Sequence, residues 1–181
     1  MSELRTNRIV PRDGLVSTTT SSGGIIQVKH TIFSSTYSRA TSSYNFGAIV
    51  TSDAITPTRA DSKILIMMHL SLCPNASDVK CHYGVQRTIG GSGATSIGVG
   101  DAASSRMRMS GGMLMETNPA FTVHYSFLDS PSTTSACAYY PLIAHDSGSS
   151  KDFSINKSNG DGDNAQNARY MSSIILYEVS G

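Results

Sequence analysis

The side chains best suited to bind a metal ion are two histidines and two cysteines, His69, Cys73, Cys81 and His82. These residue types form zinc sites. On one strand, however, His69 and Cys73 would lie on the same face about 13 Å apart, and adjacent Cys81 and His82 would point to opposite faces. One tetrahedral ion cannot bridge such positions. We therefore interpret the cysteines, Cys137 included, as small buried thiols and predict no metal and no cofactor.

A glycine motif and a polar loop are the next candidates for a ligand site. Gly98–Ala103 fits the dinucleotide-binding fingerprint, which requires a following helix and an acidic residue about 20 positions later. The serines and glycines that follow favour a tight turn instead. Asn159–Asn164 groups carboxylates and amides, the ligands of calcium. Because Asn-Gly and Asp-Gly also favour hairpin turns, we predict a solvated turn there and leave calcium as the open alternative.

Catalytic side chains form no preferred set in this sequence. None of the 30 serines lies in a Gly-x-Ser-x-Gly motif, and the five histidines have no recurring carboxylate neighbour. The 13 acidic residues offer no preferred pair for glycan hydrolysis. We therefore predict that the chain is not an enzyme.

Tyr139 and Tyr140 are the candidates for contact with a glycan. An aromatic face stacks on a sugar ring while the hydroxyl group bonds outward. Neighbours along a strand point to opposite faces, so at most one of the two is exposed on a given surface.

The composition predicts the kind of scaffold that positions these side chains. Serine and threonine are 46 of the 181 residues, and only 15% are charged. Serine and threonine disfavour long helices, while 39% hydrophobic residues suffice for a core. The net charge of +1 gives no excess of basic residues for nucleic acid. With no long apolar run and no leader-like start, we also expect no membrane insertion.

Apolar and polar residues alternate from Gly24 onward, with turn residues at short intervals. The pattern predicts eight or nine antiparallel strands in a β-sandwich or jelly-roll-like domain. The central strand, Lys63–Cys73, is apolar on both sides and is predicted to be covered on both faces. The other predicted strands are Ile25–Phe33, Tyr44–Val50, Cys81–Ile89, Thr95–Val99, Ala120–Leu128, Ala136–Ile143, Phe153–Asn156 and Tyr170–Val179. The methionine-rich segment 101–115 fits either core filling or a pliable contact surface.

Residues 1–23 differ from the rest of the chain and are predicted to be an attachment arm with a flexible linker. The stretch Ser17–Gly24 is polar and flexible by composition. We expect the arm to bind a partner through its basic and apolar groups, and residues 24–181 to form the domain. The predicted attachment residues are Leu4, Arg5, Arg8, Ile9, Val10 and Pro11.

Six blocks in order resemble small virion proteins of tailed bacteriophages, the tail-fibre-like and capsid-decoration proteins of cyanophages and other marine phages. The blocks cover nearly the whole chain: 4–14, 23–28, 58–66, 97–106, 126–131 and 172–179. The resemblance implies a homotrimeric β-sandwich knob on a virion and carries over no catalytic residue. The chain departs from a full fibre because it has no heptad, collagen-like or β-helix repeat and hence no shaft.

We therefore expect a non-enzymatic structural protein of the virion, assembled in the host cytoplasm. It would be a surface appendage, either a tail fibre or spike or a capsid decoration, anchored to other virion proteins by its arm. The alternative function is a receptor-binding knob that contacts a host surface glycan.

Overall fold

The computed structural model describes residues 24–41, 47–48, 50–75, 79–115, 120–158 and 160–181. These residues form strands and loops and contain no helix, so none of them builds a helix that could cross a membrane. The predicted all-β class is confirmed, whereas the predicted arm lies outside the described residues. The strands are β1 (Ile25–Phe33), β2 (Tyr37–Thr41), β3 (Gly47–Ala48), β4 (Lys63–Pro74), β5 (Val79–Ile89), β6 (Ser92–Ile97), β7 (Gly111–Met115), β8 (Phe121–Asp129), β9 (Cys137–His145), β10 (Lys151–Ile155) and β11 (Ser172–Val179).

The strands pair in antiparallel fashion in two sheets. The large sheet has the order β1-β11-β4-β10-β2, with β8 on the other edge of β4, and the small sheet has the order β3-β9-β5-β6, with β7 also on β5. Three long strands are interrupted and appear as two segments each: β1 with β2, β6 with β7, and β10 with β11. When each pair is counted as one strand and the strands are renumbered from 1 to 8 along the chain, the order is 1-8-3-6 in the large sheet and 2-7-4-5 in the small sheet. This is an eight-stranded jelly roll, as the sequence predicted.

Most strand positions agree with the sequence prediction to within three residues. Ile25–Phe33 is β1 itself, and the predicted central strand is β4 with one added residue. Strands β2 and β7 were missed because they hold serine, arginine or paired glycines in place of alternating apolar residues. Of the predicted strand Tyr44–Val50, only β3 and Val50 lie within the described residues. In the methionine-rich segment, Met113 packs against the core.

The β5–β6 hairpin turns at two glycines, within the turn predicted at Gly90–Gly93. Gly90 and Gly91 have φ values of +59° and +79°. Two successive positive φ values define a type I′ turn, whose twist matches the flanking strands and which glycine adopts without strain.

The core lies between the two sheets and is built by alternate residues of each strand. In β4 the residues at even positions from Ile64 to Leu72 are buried. Across the sandwich they meet aliphatic and aromatic side chains of the small sheet. The largest fully buried side chains are Tyr139, Phe153, Ile55, Ile64, Ile66, Leu70, Leu72, Leu142, Ile143, Ile155 and Leu176.

Asn156 joins the interrupted strands of the large sheet. It is fully buried and follows β10 in the left-handed conformation, with φ of +60°. Its side-chain amide donates to the carbonyl oxygens of Phe33 (2.7 Å) and Ser35 (3.1 Å), where β1 passes into β2. Its side-chain oxygen accepts from the Ser172 hydroxyl group at 2.7 Å, where β11 begins. One side chain therefore satisfies the backbone at the gap in β1/β2 and fixes the start of β11.

We predict that Asn156→Gly lowers the free energy of unfolding by about 3 kcal/mol, since it removes the three hydrogen bonds of a fully buried side chain, with the Phe33 and Ser35 carbonyl oxygens and the buried Ser172 hydroxyl group. Glycine keeps the left-handed backbone, so the loss reports the side chain alone. Urea unfolding at 25 °C measures the change. The control is Ser104→Gly, an exposed residue with φ of +52°, which should stay within about 0.5 kcal/mol of the wild type. An equal, small change in both variants would contradict the role of Asn156.

Glu178 fastens the connection between β3 and β4 to the end of β11. Its fully buried carboxylate accepts from the Thr58 backbone N–H (2.6 Å), the Thr58 hydroxyl group (2.7 Å) and the Gln27 side-chain amide (2.6 Å). Burial acts to raise the pKa of Glu178. The neighbouring Ser62 hydroxyl group and the hydrogen bonds from Gln27 and Thr58 outweigh burial and lower the pKa to about 2.

We predict that Glu178 contributes to acid denaturation. Its pKa is about 2 in the folded state and 4.5 in the reference state. Its contribution to stability is therefore complete above pH 4.5 and is lost as the pH falls toward 2. Glu178→Gln should weaken the pH dependence of the free energy of unfolding in this range and lower stability at pH 7. Urea unfolding at several pH values tests this against exposed Asp101→Asn, which should keep the wild-type slope; an unchanged slope in Glu178→Gln would refute the assignment.

Candidate functional site

The large sheet turns one face away from the sandwich, and no other described strand packs on it. Strand register places twelve side chains there in three rows across β1, β11, β4 and β8. We call this set the outer face. Its members are Val28, Tyr177, Leu65 and Leu128 in the first row; His30, Ile175, Met67 and Ser126 in the second; and Ile32, Ser173, His69 and His124 in the third.

Six of the twelve side chains of the outer face are apolar, and four of these six are exposed. Ile32 is 57% exposed, Val28 50%, and Met67 and Leu128 45% each. No aspartate, glutamate, lysine or arginine occurs among the twelve side chains. The prediction that β4 is covered on both faces is therefore wrong for its first half, because Met67 faces solvent.

The small sheet differs, because its outer side is covered by the chain itself. Leu142 and Ala144 on that side of β9 are buried. Over β5, the segment that joins β6 to β7 lies close to Gly84, where the Ser110 backbone N–H donates to the Tyr83 carbonyl oxygen at 3.0 Å. A side chain at Gly84 would meet the Ser110 hydroxyl group at 3.5 Å and Met109 at 3.7 Å. The large sheet has no comparable cover among the described residues.

Two histidines form the polar corner of the outer face. His69 and His124 lie directly opposite each other on β4 and β8, with ring centroids 5.0 Å apart in a T-shaped arrangement. They line a shallow cavity of about 270 Å³ together with Met67, Ser173 and Ile175. The two imidazole rings can donate and accept hydrogen bonds.

The tyrosines predicted for glycan contact lie inside the protein. Tyr139 is 0% exposed and Tyr140 9%. Tyr139 points into the sandwich, and Tyr140 lies on the covered side of the small sheet. Neither presents an open ring face to a sugar, so the structure corrects this prediction. The predicted attachment residues Leu4, Arg5, Arg8, Ile9, Val10 and Pro11 lie outside the described residues.

Tyr139 instead belongs to a buried polar cluster that links the two sheets. Its hydroxyl group donates to Asp129 at 2.8 Å, and Arg87 Nη1 donates to both carboxylate oxygens of Asp129 at 2.8 and 2.7 Å. Asp129 ends β8 of the large sheet, whereas Arg87 and Tyr139 are paired residues of the small sheet. Burial, together with the charge of Asp129, raises the pKa of Tyr139. The cluster is closed to solvent and acts as a structural link.

We predict that Tyr139→Phe lowers the free energy of unfolding by about 2 kcal/mol, because it removes a buried hydrogen bond to a charged group. Chemical denaturation at pH 7 measures the loss. Exposed Tyr37→Phe is the matched control and should change stability by less than about 0.5 kcal/mol. A Tyr139→Phe variant as stable as the control would show that the hydroxyl group contributes nothing.

The remaining motifs serve as turns or as core. Gly98 has φ of +58° and packs against Tyr125 and Phe127 with no space for a side chain, so the fingerprint-like motif begins at a bend that requires glycine. No helix follows it, and the turn lies at its end, where the Arg106 backbone N–H donates to the Ala103 carbonyl oxygen at 3.1 Å. All three cysteines are buried, and burial raises the pKa of Cys81 to about 12. No cluster of three or more metal-binding side chains occurs in the part of the chain that the structure describes.

The loop that was the open calcium candidate is held by ion pairs. Asp161 accepts from Arg169 at 2.7 Å through one carboxylate oxygen and from Lys157 at 3.3 Å through the other. Both oxygens already face a cation of the chain itself, which opposes a calcium ion at this carboxylate. Asn159 lies outside the described residues.

Comparisons with known proteins give matches among solved structures alone. No protein-family model matches the sequence, and no curated protein sequence matches it. Infectious bursal disease virus of the Gt strain aligns with a TM-score of 0.48 and 11% identity, over 95% of this chain and 43% of that one. The VP2 subviral particle of the same virus aligns with a TM-score of 0.45 and 9% identity, over 95% and 43%. The chain thus spans less than half the length of these proteins.

Sequence reasoning identified the strands that carry the outer face but missed the face itself. The signal was present, since Val28, His30 and Ile32 are spaced two residues apart and therefore lie on one side of β1. Whether that side faces the core or the solvent depends on the strands that β1 pairs with. The pattern of a single strand carries no information about them.

Proposed function

We propose that this chain is a non-enzymatic structural protein of a virus particle, a jelly-roll knob that assembles as a homotrimer. The observation that carries the proposal is the exposed, uncharged outer face of the large sheet. An exposed apolar patch of roughly 400 Å² is as large as the largest patch of a typical monomer, and such patches are often functional. A protein built to assemble with others presents such a face, whereas a protein that acts alone would cover or charge it.

Two further features support the particle assignment. Jelly rolls are an architecture of viral capsid domains. In addition, the six ordered sequence blocks resemble virion proteins of tailed bacteriophages, as a tail fibre, spike or capsid decoration. We propose that residues 1–22 anchor the knob to other virion proteins through Leu4, Ile9 and Val10 and the basic residues beside them.

We predict that an antibody raised against the chain labels purified particles at the capsid surface or the tail in immuno-electron microscopy. A chain with Leu4→Ser, Ile9→Ser and Val10→Ser should be lost from purified particles, because the arm no longer offers apolar groups to bury. The control variant, Ser17→Ala with Thr18→Ala in the linker, should be incorporated like the wild type. Purified particles without the chain would refute the particle assignment. Incorporation of the triple variant would refute the role of the arm.

The alternative function is a receptor-binding knob that contacts a host glycan. It requires residues other than Tyr139 and Tyr140, since both are buried. No described feature favours it over the structural role. Glycan-array binding by the intact chain would favour it and would identify the sugar.

A further inference from the structure

We propose that the outer face of the large sheet is the surface through which a second copy of this chain binds. The inference rests on the proposed function in one respect, since it takes assembly from copies as the reason for an exposed apolar face. It goes further by assigning the contact to one surface and one partner.

Charge is the first argument for a second copy. The twelve positions of the outer face hold no aspartate, glutamate, lysine or arginine, although these four types make up 15% of the whole chain. A nucleic acid or an anionic membrane surface requires positive charge that this face lacks. A glycan requires many hydrogen-bonding groups. Here they occupy six of the twelve positions (His30, His69, His124, Ser126, Ser173 and Tyr177), and the exposed surface between them at Val28, Ile32, Met67 and Leu128 offers a sugar none. An uncharged apolar surface is best matched by another such surface, and each copy of the chain supplies one.

Size is the second argument. Three rows on four strands cover about 19 by 20 Å, or roughly 400 Å². Beyond the first row, Ile25 lies opposite Val179, is 64% exposed, and extends the apolar area along β1, while Lys63, the other partner of Val179, ends this row with a charge. A specific interface buries about 800 Å² on each partner. The outer face thus supplies the apolar centre of such an interface, and surrounding loops would supply its polar rim, as interfaces generally show.

The contrast between the two sheets is the third argument. On the outer side of the small sheet, Leu142 and Ala144 are buried, and the chain's own segment around Met109 and Ser110 lies against Gly84. Nothing among the described residues does this for Val28 and Met67. The domain thus leaves the outer side of the large sheet open and closes the outer side of the small sheet. This contrast is consistent with another molecule covering the large sheet.

The experiment measures the mass of the full-length chain by light scattering at about 5 to 200 µM, a range suited to an interface of this size. The wild type should give a trimer, the assembly proposed above. Val28→Lys and Met67→Lys, made separately, should each weaken association by about 100-fold or more, because an unpaired ammonium group would be buried in the contact.

Two controls separate the contact from folding. Leu114→Lys places the same charge at a 58%-exposed leucine of β7, outside the outer face, and should associate like the wild type. Circular dichroism checks that each variant is folded. Val28 lies on an edge strand, so its variant keeps the test valid even where Met67→Lys, on a central strand, disturbs folding. Association should persist at about 1 M NaCl, where ion pairs are screened and apolar contacts are not.

The outcomes separate the inference from the proposed function. Wild-type association that both lysine variants abolish, with Leu114→Lys unaffected, supports the outer face as the contact. Equal association in all four chains overturns the outer face and leaves self-assembly in place. A wild type that is monomeric throughout overturns the inference and the homotrimer. The particle assignment is decided separately, by immuno-electron microscopy of purified particles.

Discussion

The hydrogen bonds of Asn156 hold the large sheet in a single register. Strands β1/β2 and β10/β11 are both interrupted at this residue, and its amide spans the two gaps. The left-handed backbone at Asn156 lets the chain leave the sheet at 157 and re-enter it at 172. A slip of one residue in β11 would turn Ile174 and Leu176 outward and Ile175 and Tyr177 inward, because side chains alternate between faces. The composition of the outer face therefore depends on a buried amide at its end.

Two buried carboxylates provide the polar framework of the interior. Glu178 ties the loop at Thr58 to the large sheet, and Asp129 ties the large sheet to Arg87 and Tyr139 of the small one. Each is surrounded by donors, which is the condition under which a buried carboxylate is tolerated. Both carboxylates are therefore buried among donors, whereas the twelve side chains of the outer face include no aspartate, glutamate, lysine or arginine.

The sequence predicted the fold well because antiparallel strands carry their signal locally. The alternation in Ile25–Phe33 and the apolar run of β4 identify both strands, and the glycines after Ile89 identify the hairpin. The same alternation did not predict which side of β1 faces the core. In β1 the apolar residues Val28 and Ile32 face out, whereas Gln27 and Thr31 face the sandwich. The orientation of an edge strand is decided by the strand it pairs with, so the hydrophobicity of its own residues does not determine which side faces the core.

The tyrosine pair and the outer face went unrecognised for the same physical reason. Adjacent Tyr139 and Tyr140 must point to opposite sides, and an exposed side was expected for one of them. Both sides of β9 are closed, one by the sandwich and the other by the chain's own cover of the small sheet. Strand β9 is thus buried on both faces and also lies between two other strands of the small sheet. The open surface falls instead on β1, β4 and β8, in a sheet whose two edges are long strands. Exposed apolar residues beside unpaired strand edges favour uncontrolled association in a lone domain. A specific contact between copies would cover the apolar residues in a defined geometry. The same exposed surface would then lead to ordered assembly and not to aggregation.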